Sequence, residues 1–226
     1  MSRRISWGAA AVVLLFCFGE LLREVTSHGG LANTVDPWLA NAVAAHRIGW
    51  LAMVFSVLTW LGSSVFLVPL GIVVAGWLWQ THRTLRPAVN LALAIGGAAA
   101  LYDVIKPLVG RMRPPAALQY GGPDTDFAFP SGHATQSASF YAMLVVVLAT
   151  WMWPYRRVLL SLAAVTMVAI VAAARIYLGV HWLTDVLAGL ALGLAWFSIL
   201  MAFMAGASSP STSRSPSRPS GRTGQA

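Results

Sequence analysis

Apolar residues fall along this chain in unbroken blocks separated by short polar turns, with no period-two alternation. Each block is about as long as a bilayer-crossing helix, roughly 20 residues. They run at about 5–22, 64–79, 88–105, 134–153, 158–174 and 183–205. Backbone inside lipid must satisfy its own hydrogen bonds, which leaves helices or a closed barrel. Runs of Ala and Leu without alternation exclude the barrel. The pattern predicts an all-α integral membrane bundle of six helices. A charged start before a short apolar run also fits a cleaved signal peptide. No small-x-small cleavage site follows Leu22, so a retained first helix is expected.

Two stretches break the rule. Residues 23–47 mix Arg23, Glu24, His28, Asp36 and Arg47 with Leu39 and Val43 at helical spacing. They read as an exposed loop entering an interfacial amphipathic helix, with Trp38 and Trp50 at the headgroup level. The apolar run from Ile48 to Trp79 is too long for one simple span, and Gly62-Ser63-Ser64 is where it divides. The residues from 206 to 226 are mainly Ser, Pro, Arg and Gly and read as a disordered cytoplasmic tail. The segment 1–205 is then one membrane-embedded domain.

Composition narrows the class. The chain is 58% hydrophobic and 10% charged, against about 25% charged in soluble domains, and its mean hydropathy is +0.69. The formal charge of +8 comes from basic residues at turns between apolar blocks, not from a soluble basic face. No nucleic-acid partner is expected. Cys17 is the one cysteine, so neither an intrachain disulfide nor a cysteine metal site is available.

Six spans place both termini on one side, together with the 80–87 and 154–157 turns. Arg3, Arg4, Arg83, Arg86, Arg156, Arg157, Arg214, Arg218 and Arg222 collect there. By the positive-inside rule this side is cytoplasmic, in the plasma membrane. All seven acids fall toward the opposite side. Yet Lys106, Arg111, Arg113 and Arg175 crowd the two outer connections against that rule. The exception points to function.

On that outer side lie Lys106 with Arg113-Pro114, then Pro130-Ser131-Gly132-His133, then Arg175 with His181 and Asp185. A phosphoryl group in transfer spreads charge over three equatorial oxygens, and its catalysis is mostly positioning and electrostatics. Lys106, Arg113 and Arg175 supply positive charge without a metal, and guanidinium forks match phosphate oxygens. The spacing of His181 and Asp185 is i, i+4, one helix face. Asp185 then fixes the imidazole tautomer and frees the other nitrogen to attack phosphorus. His133 suits the general acid. Ser131 and Gly132 open a helix whose unpaired N–H groups suit an anion.

These residues closely resemble the three motifs of the type 2 phosphatidic acid phosphatase (PAP2) family, which shares its site with the vanadium haloperoxidases. The family patterns K-x6-R-P, P-S-G-H and S-R-x5-H-x3-D read here as KPLVGRMRP (Lys106–Pro114), PSGH (Pro130–His133) and ARIYLGVHWLTD (Ala174–Asp185). The resemblance implies a six-helix fold, no metal and no cofactor. It implies phosphate binding by Lys106, Arg113, Ser131, Gly132 and Arg175, with His133 as acid, His181 as nucleophile and Asp185 orienting it. Ala174 stands where serine is usual, which bears on substrate tuning.

Other polar residues have plainer readings. Arg111 touches phosphate or headgroup, or is a solvated loop arginine. Asp103 is expected to be a structural partner for a cation, and Asp124 and Asp126 to be solvated. His28, His46 and His82 read as surface residues, Tyr177 and Trp182 as interfacial packing, and Gly96-Gly97 as a close helix contact.

The expected function is a membrane phosphatase acting on lipid-linked phosphate or pyrophosphate at the extracytoplasmic face, through a phosphohistidine. Phosphatidic acid, phosphatidylglycerol phosphate and polyprenyl pyrophosphate are the candidate substrates. A lipid-phosphate binding or transport protein without turnover is the alternative, but binding alone has no use for a nucleophile and an acid. Haloperoxidase chemistry is disfavoured because its enzymes are soluble.

Overall fold

The computed structural model describes residues 2–27, 30–122 and 124–207. Among them there are helices and turns and no strand. The segments are α1 (Ser2–Thr26), α2 (Asp36–Ala45), α3 (Gly49–Leu58), α4 (Ser64–His82), α5 (Arg86–Val109), α6 (Gly132–Ala149), α7 (Pro154–Tyr177) and α8 (Leu183–Ala207). The expected tail from 208 onward, and His28, lie outside the described residues.

Among the described residues five helices are long and apolar enough to cross a membrane: α1, α4, α5, α7 and α8. The sixth expected span, α6, is the polar one. It stands between α5, α7 and α8, and its first half buries Thr135, Gln136, Ser137 and Ser139. A helix walled by protein need not be apolar, provided its polar groups find partners. Ser139 donates to the carbonyl of Ala94 at 3.0 Å, and Gln136 to the Tyr102 hydroxyl at 3.1 Å. The remaining core is apolar, around Leu67, Leu91, Phe140, Met143 and Phe197.

Several helix ends differ from the sequence expectation by three or four residues: α1 runs on to Thr26, α4 to His82, and α6 stops at Ala149. Two further differences carry the site. α5 continues to Val109 and α7 to Tyr177, so Lys106 and Arg175 sit in last helical turns, not in loops. The apolar blocks end at the first cation, but the helices do not. Lys and Arg propagate a helix well and suit the negative end of its dipole. A last difference is the segment read as a loop and interfacial helix. Residues 31–45 and 49–62 form a helical pair bent by 120°, and Asp36 at the head of α2 is buried. Trp38 and Trp50 remain exposed. The division at 62–64 is as read: Ser63 caps α4, its Oγ accepting from the N–H of Val65.

Candidate active site

α5 ends, and α4, α6 and α8 begin, on one side of the bundle, where α7 also ends. A cavity of about 300 Å³ opens among these ends. Its walls carry Lys106, Arg113, His133, Arg175 and His181, with Gly132 at the head of α6. The three stretches of sequence therefore meet in one place.

Backbone contacts lock them together. The N–H of Ser131 donates to the carbonyl of Asp185 at 3.0 Å, joining the second motif to the third. Arg113 Nη1 donates to the carbonyl of Val180 at 2.6 Å, joining the first to the third. Trp182 Nε1 donates to the carbonyl of Met112 at 2.9 Å. After α7 the chain turns through Gly179, whose φ of +71° and close approach to the Leu118 carbonyl exclude a side chain. At Gly132 a Cβ would stand 3.2 Å from the Tyr102 ring.

His181 is buried, with Nδ1 3.4 Å from Asp185 Oδ2 and Nε2 3.2 Å from Arg113 Nη1. Guanidinium only donates, so Nε2 is the bare nitrogen and Nδ1 carries the proton. Burial first, then the positive charges of Arg175, Arg113 and Lys106, hold this imidazole well below its ordinary pKa of 6.5. It stays neutral at neutral pH. Two buried polar atoms lack any partner among the described residues: Ser131 Oγ and Arg175 Nε. Such groups cost free energy unless something pairs with them. Arg175 stands in the cavity lining, while Ser131, just before Gly132 at the head of α6, is fully buried and outside that lining.

Four sequence readings change. Asp124 and Asp126 are half exposed but not free in solvent: Asp126 pairs with Lys106 and Arg113, and Asp124 bridges Arg113 and Arg175 at 3.1 Å each. Loop carboxylates thus pair with all three cations. Burial pushes Asp126 up, but its bonds to Lys106 and Arg113 outweigh that and hold it below its ordinary value. Arg111 is neither solvated nor in the cavity: it pairs with Asp36 and Asp185. Asp103 lines the cavity yet forms no ion pair among the described residues. Tyr177 packs on Phe55 at 5.0 Å and accepts from the N–H of Ile48, off the cavity lining. His46 and His82 are exposed, as read, and Ala174 is fully buried. Sequence reasoning missed Asp36, Gln136 and Tyr102. Tyr102 stands four residues before Lys106 in α5 and Gln136 three after His133 in α6, a helical-face signal that could have found both, whereas no spacing ties Asp36 to the motifs.

The fold and site together define a helical membrane protein with cations and two histidines gathered in a cavity at one end. The chain belongs to the PAP2 superfamily, whose family model matches residues 87–208. It is 31% identical to phosphatidylglycerophosphatase B of Bacillus subtilis, over 84% of this chain and 93% of that protein. It is 32% identical to an undecaprenyl-diphosphatase of Sulfolobus acidocaldarius, over 62% and 68% respectively. A lipid A 1-phosphatase of Rhizobium johnstonii is 33% identical over 46% of this chain and 42% of that one. The crystal structure of a transmembrane PAP2-type phosphatidylglycerolphosphate phosphatase from Bacillus subtilis superposes with a TM-score of 0.79 at 27% identity. That match covers 91% of this chain and 98% of the other. The protein is a multi-pass membrane phosphatase.

Proposed function

We propose that this phosphatase removes phosphate from a lipid by way of a phosphorylated His181, on the extracytoplasmic face. The observation that carries the reading is the convergence of Lys106, Arg113, Arg175, His133 and His181 on one cavity, beside orphaned Ser131 Oγ and Arg175 Nε. His181 Nε2 attacks phosphorus and the P–O bond to the leaving group breaks. His133 gives that oxygen its proton. Water then attacks the phosphohistidine, His133 takes the water's proton, and inorganic phosphate leaves. Asp185 holds the Nδ1 proton throughout. Lys106, Arg113 and Arg175 neutralise the phosphoryl oxygens, a task that elsewhere falls to a metal, so turnover is expected in chelator.

The cavity lies where helix ends meet, so a substrate tail can stay in lipid while its phosphate enters. The relatives, a phosphatidylglycerophosphatase, an undecaprenyl-diphosphatase and a lipid A 1-phosphatase, support lipid monophosphates and pyrophosphates as the substrate class. The face follows from charge: Arg83, Arg86, Arg156 and Arg157 lie at the opposite end, which the positive-inside rule makes cytoplasmic together with the termini.

The test is phosphate release by the full chain in detergent with chelator, across phosphatidic acid, phosphatidylglycerol phosphate and a polyprenyl pyrophosphate. Wild type turns over and His181→Ala does not. Equal release by the two would remove His181 from the mechanism, and a requirement for added metal would refute metal-free catalysis.

A further inference from the structure

Behind His181 lies a second charged cluster that does not line the cavity. Asp36, from the head of α2, and Asp185, from the first turn of α8, are both buried, and one guanidinium stands between them. Arg111 gives Nη2 to Asp36 Oδ2 at 2.7 Å and Nη1 to both Thr184 Oγ1, at 2.7 Å, and Asp185 Oδ1. Asp36 Oδ1 also accepts the N–H of Thr184 at 3.0 Å. Asp185 Oδ2 accepts the N–H of Trp182 at 2.9 Å and faces His181 Nδ1. Both oxygens of Asp185 are thereby assigned, one to Arg111 and one to the turn that carries His181.

We infer that Arg111 and Asp36 are positioning residues for this reaction: Arg111 sets the orientation of the carboxylate that holds His181, and Asp36 balances the charge Arg111 brings.

The charge balance explains why both are needed. Asp36, Arg111 and Asp185 sum to one negative charge. That matches the one positive charge His181 gains when Nε2 bonds phosphorus while Nδ1 keeps its proton. Without Asp36, Arg111 would cancel Asp185 and leave the positively charged ring with no net negative charge on its Nδ1 side. Without Arg111, two carboxylates would share a buried space with no cation between them. A guanidinium holds two carboxylates at once through its planar fork; an ammonium does so poorly. Asp36 and Arg111, from two distant stretches, are thus tied to a histidine that neither touches.

The inference rests on His181 as the nucleophile, so His181→Ala is assayed beside every variant. The full chain is purified in detergent, and kcat and KM for phosphatidic acid in mixed micelles are measured with the thermal midpoint. Arg111→Lys keeps the charge and loses the fork. It is expected to lower kcat by about tenfold or more, with KM within about twofold. Asp36→Asn should lower kcat in the same way. The double variant Arg111→Gln, Asp36→Asn leaves no unpaired buried charge from either residue. It should recover most of the midpoint lost by Arg111→Gln alone while kcat stays about tenfold down. Wild-type kcat in Arg111→Lys, or kcat returning with stability in the double variant, would overturn the inference. So would a raised KM at unchanged kcat, which would make Arg111 a headgroup ligand. Failure of every variant to fold would reduce the cluster to a structural one and equally overturn it. Turnover by His181→Ala would instead condemn the nucleophile assignment.

Discussion

Arg113 Nη1 lies 3.2 Å from His181 Nε2, the nitrogen that faces away from Asp185. The same guanidinium also binds the Val180 carbonyl one residue before that histidine. It therefore holds the turn of the proposed nucleophile while lining the same cavity. Arg113→Lys keeps the charge but cannot serve both partners. A loss of about 10²-fold in kcat is expected, the scale of removing one preorganised donor at a developing charge. Steady-state kinetics with phosphatidic acid measure it; a loss under threefold would take Arg113 out of the transition state.

The pH profile should report the same environment. Protonated His181 cannot attack, so kcat/KM falls as pH drops through its pKa in the free enzyme. Burial, then Arg175, Arg113 and Lys106, lower that pKa well below 6.5. The acid limb due to His181 should accordingly lie below pH 6.5, with no rise in rate from it between pH 6.5 and 8. Arg113→Gln removes one of the named positive charges, and the limb should move up toward 6.5. A wild-type limb above pH 6.5 would contradict the arrangement.

The loop acids make a different claim. Asp124 and Asp126 hold Arg113, Arg175 and Lys106 from the solvent side, with about half of each carboxyl side chain exposed. A substrate phosphate must displace them. Asp124→Asn with Asp126→Asn should therefore tighten inhibition by inorganic phosphate or vanadate, by about tenfold if each carboxylate contributes a modest exposed-pair energy. Weaker inhibition would mean that the acids order the loop and do not compete with the anion.

Most of the bundle and the three motifs were readable because each rests on a local signal. A bilayer demands apolar blocks, and motif residues are chemically conspicuous. What stayed hidden depends on pairing across distance. Asp36 reads as a surface acid at a helix start until α2 folds back and Arg111 meets it, 75 residues away in sequence. Asp124 and Asp126 look solvated because nothing local pairs them, yet the nearest cations in space are those of the site. Lys106 and Arg175 were placed in loops because hydropathy ends at a charge, whereas a helix ends at its cap. Gly110, in the left-handed region, is that cap for α5.

Glycine pairs give the last test, because spacing alone ranked Gly96 and Gly97 equally and the structure separates them. A Cβ on Gly97 would enter the Trp196 indole, while one on Gly96 meets nothing within 4 Å. Gly97→Ala should destabilise by about 1–3 kcal/mol from overpacking. Gly96→Ala should be neutral or slightly stabilising, since a helix interior gains up to about 1 kcal/mol from that change. The α6–α8 contact adds a functional contrast. A Cβ on Gly189 would stand 2.6 Å from the Ser131 carbonyl, while one on Gly193 would press on the Thr135 carbonyl a turn deeper. Both Gly189→Ala and Gly193→Ala should lower the thermal midpoint. Gly189→Ala should also lower kcat several-fold, because Ser131 is the residue that ties the second motif to Asp185. Equal kcat in the two, at equal midpoints, would show that the α6–α8 seam sets stability without tuning the site.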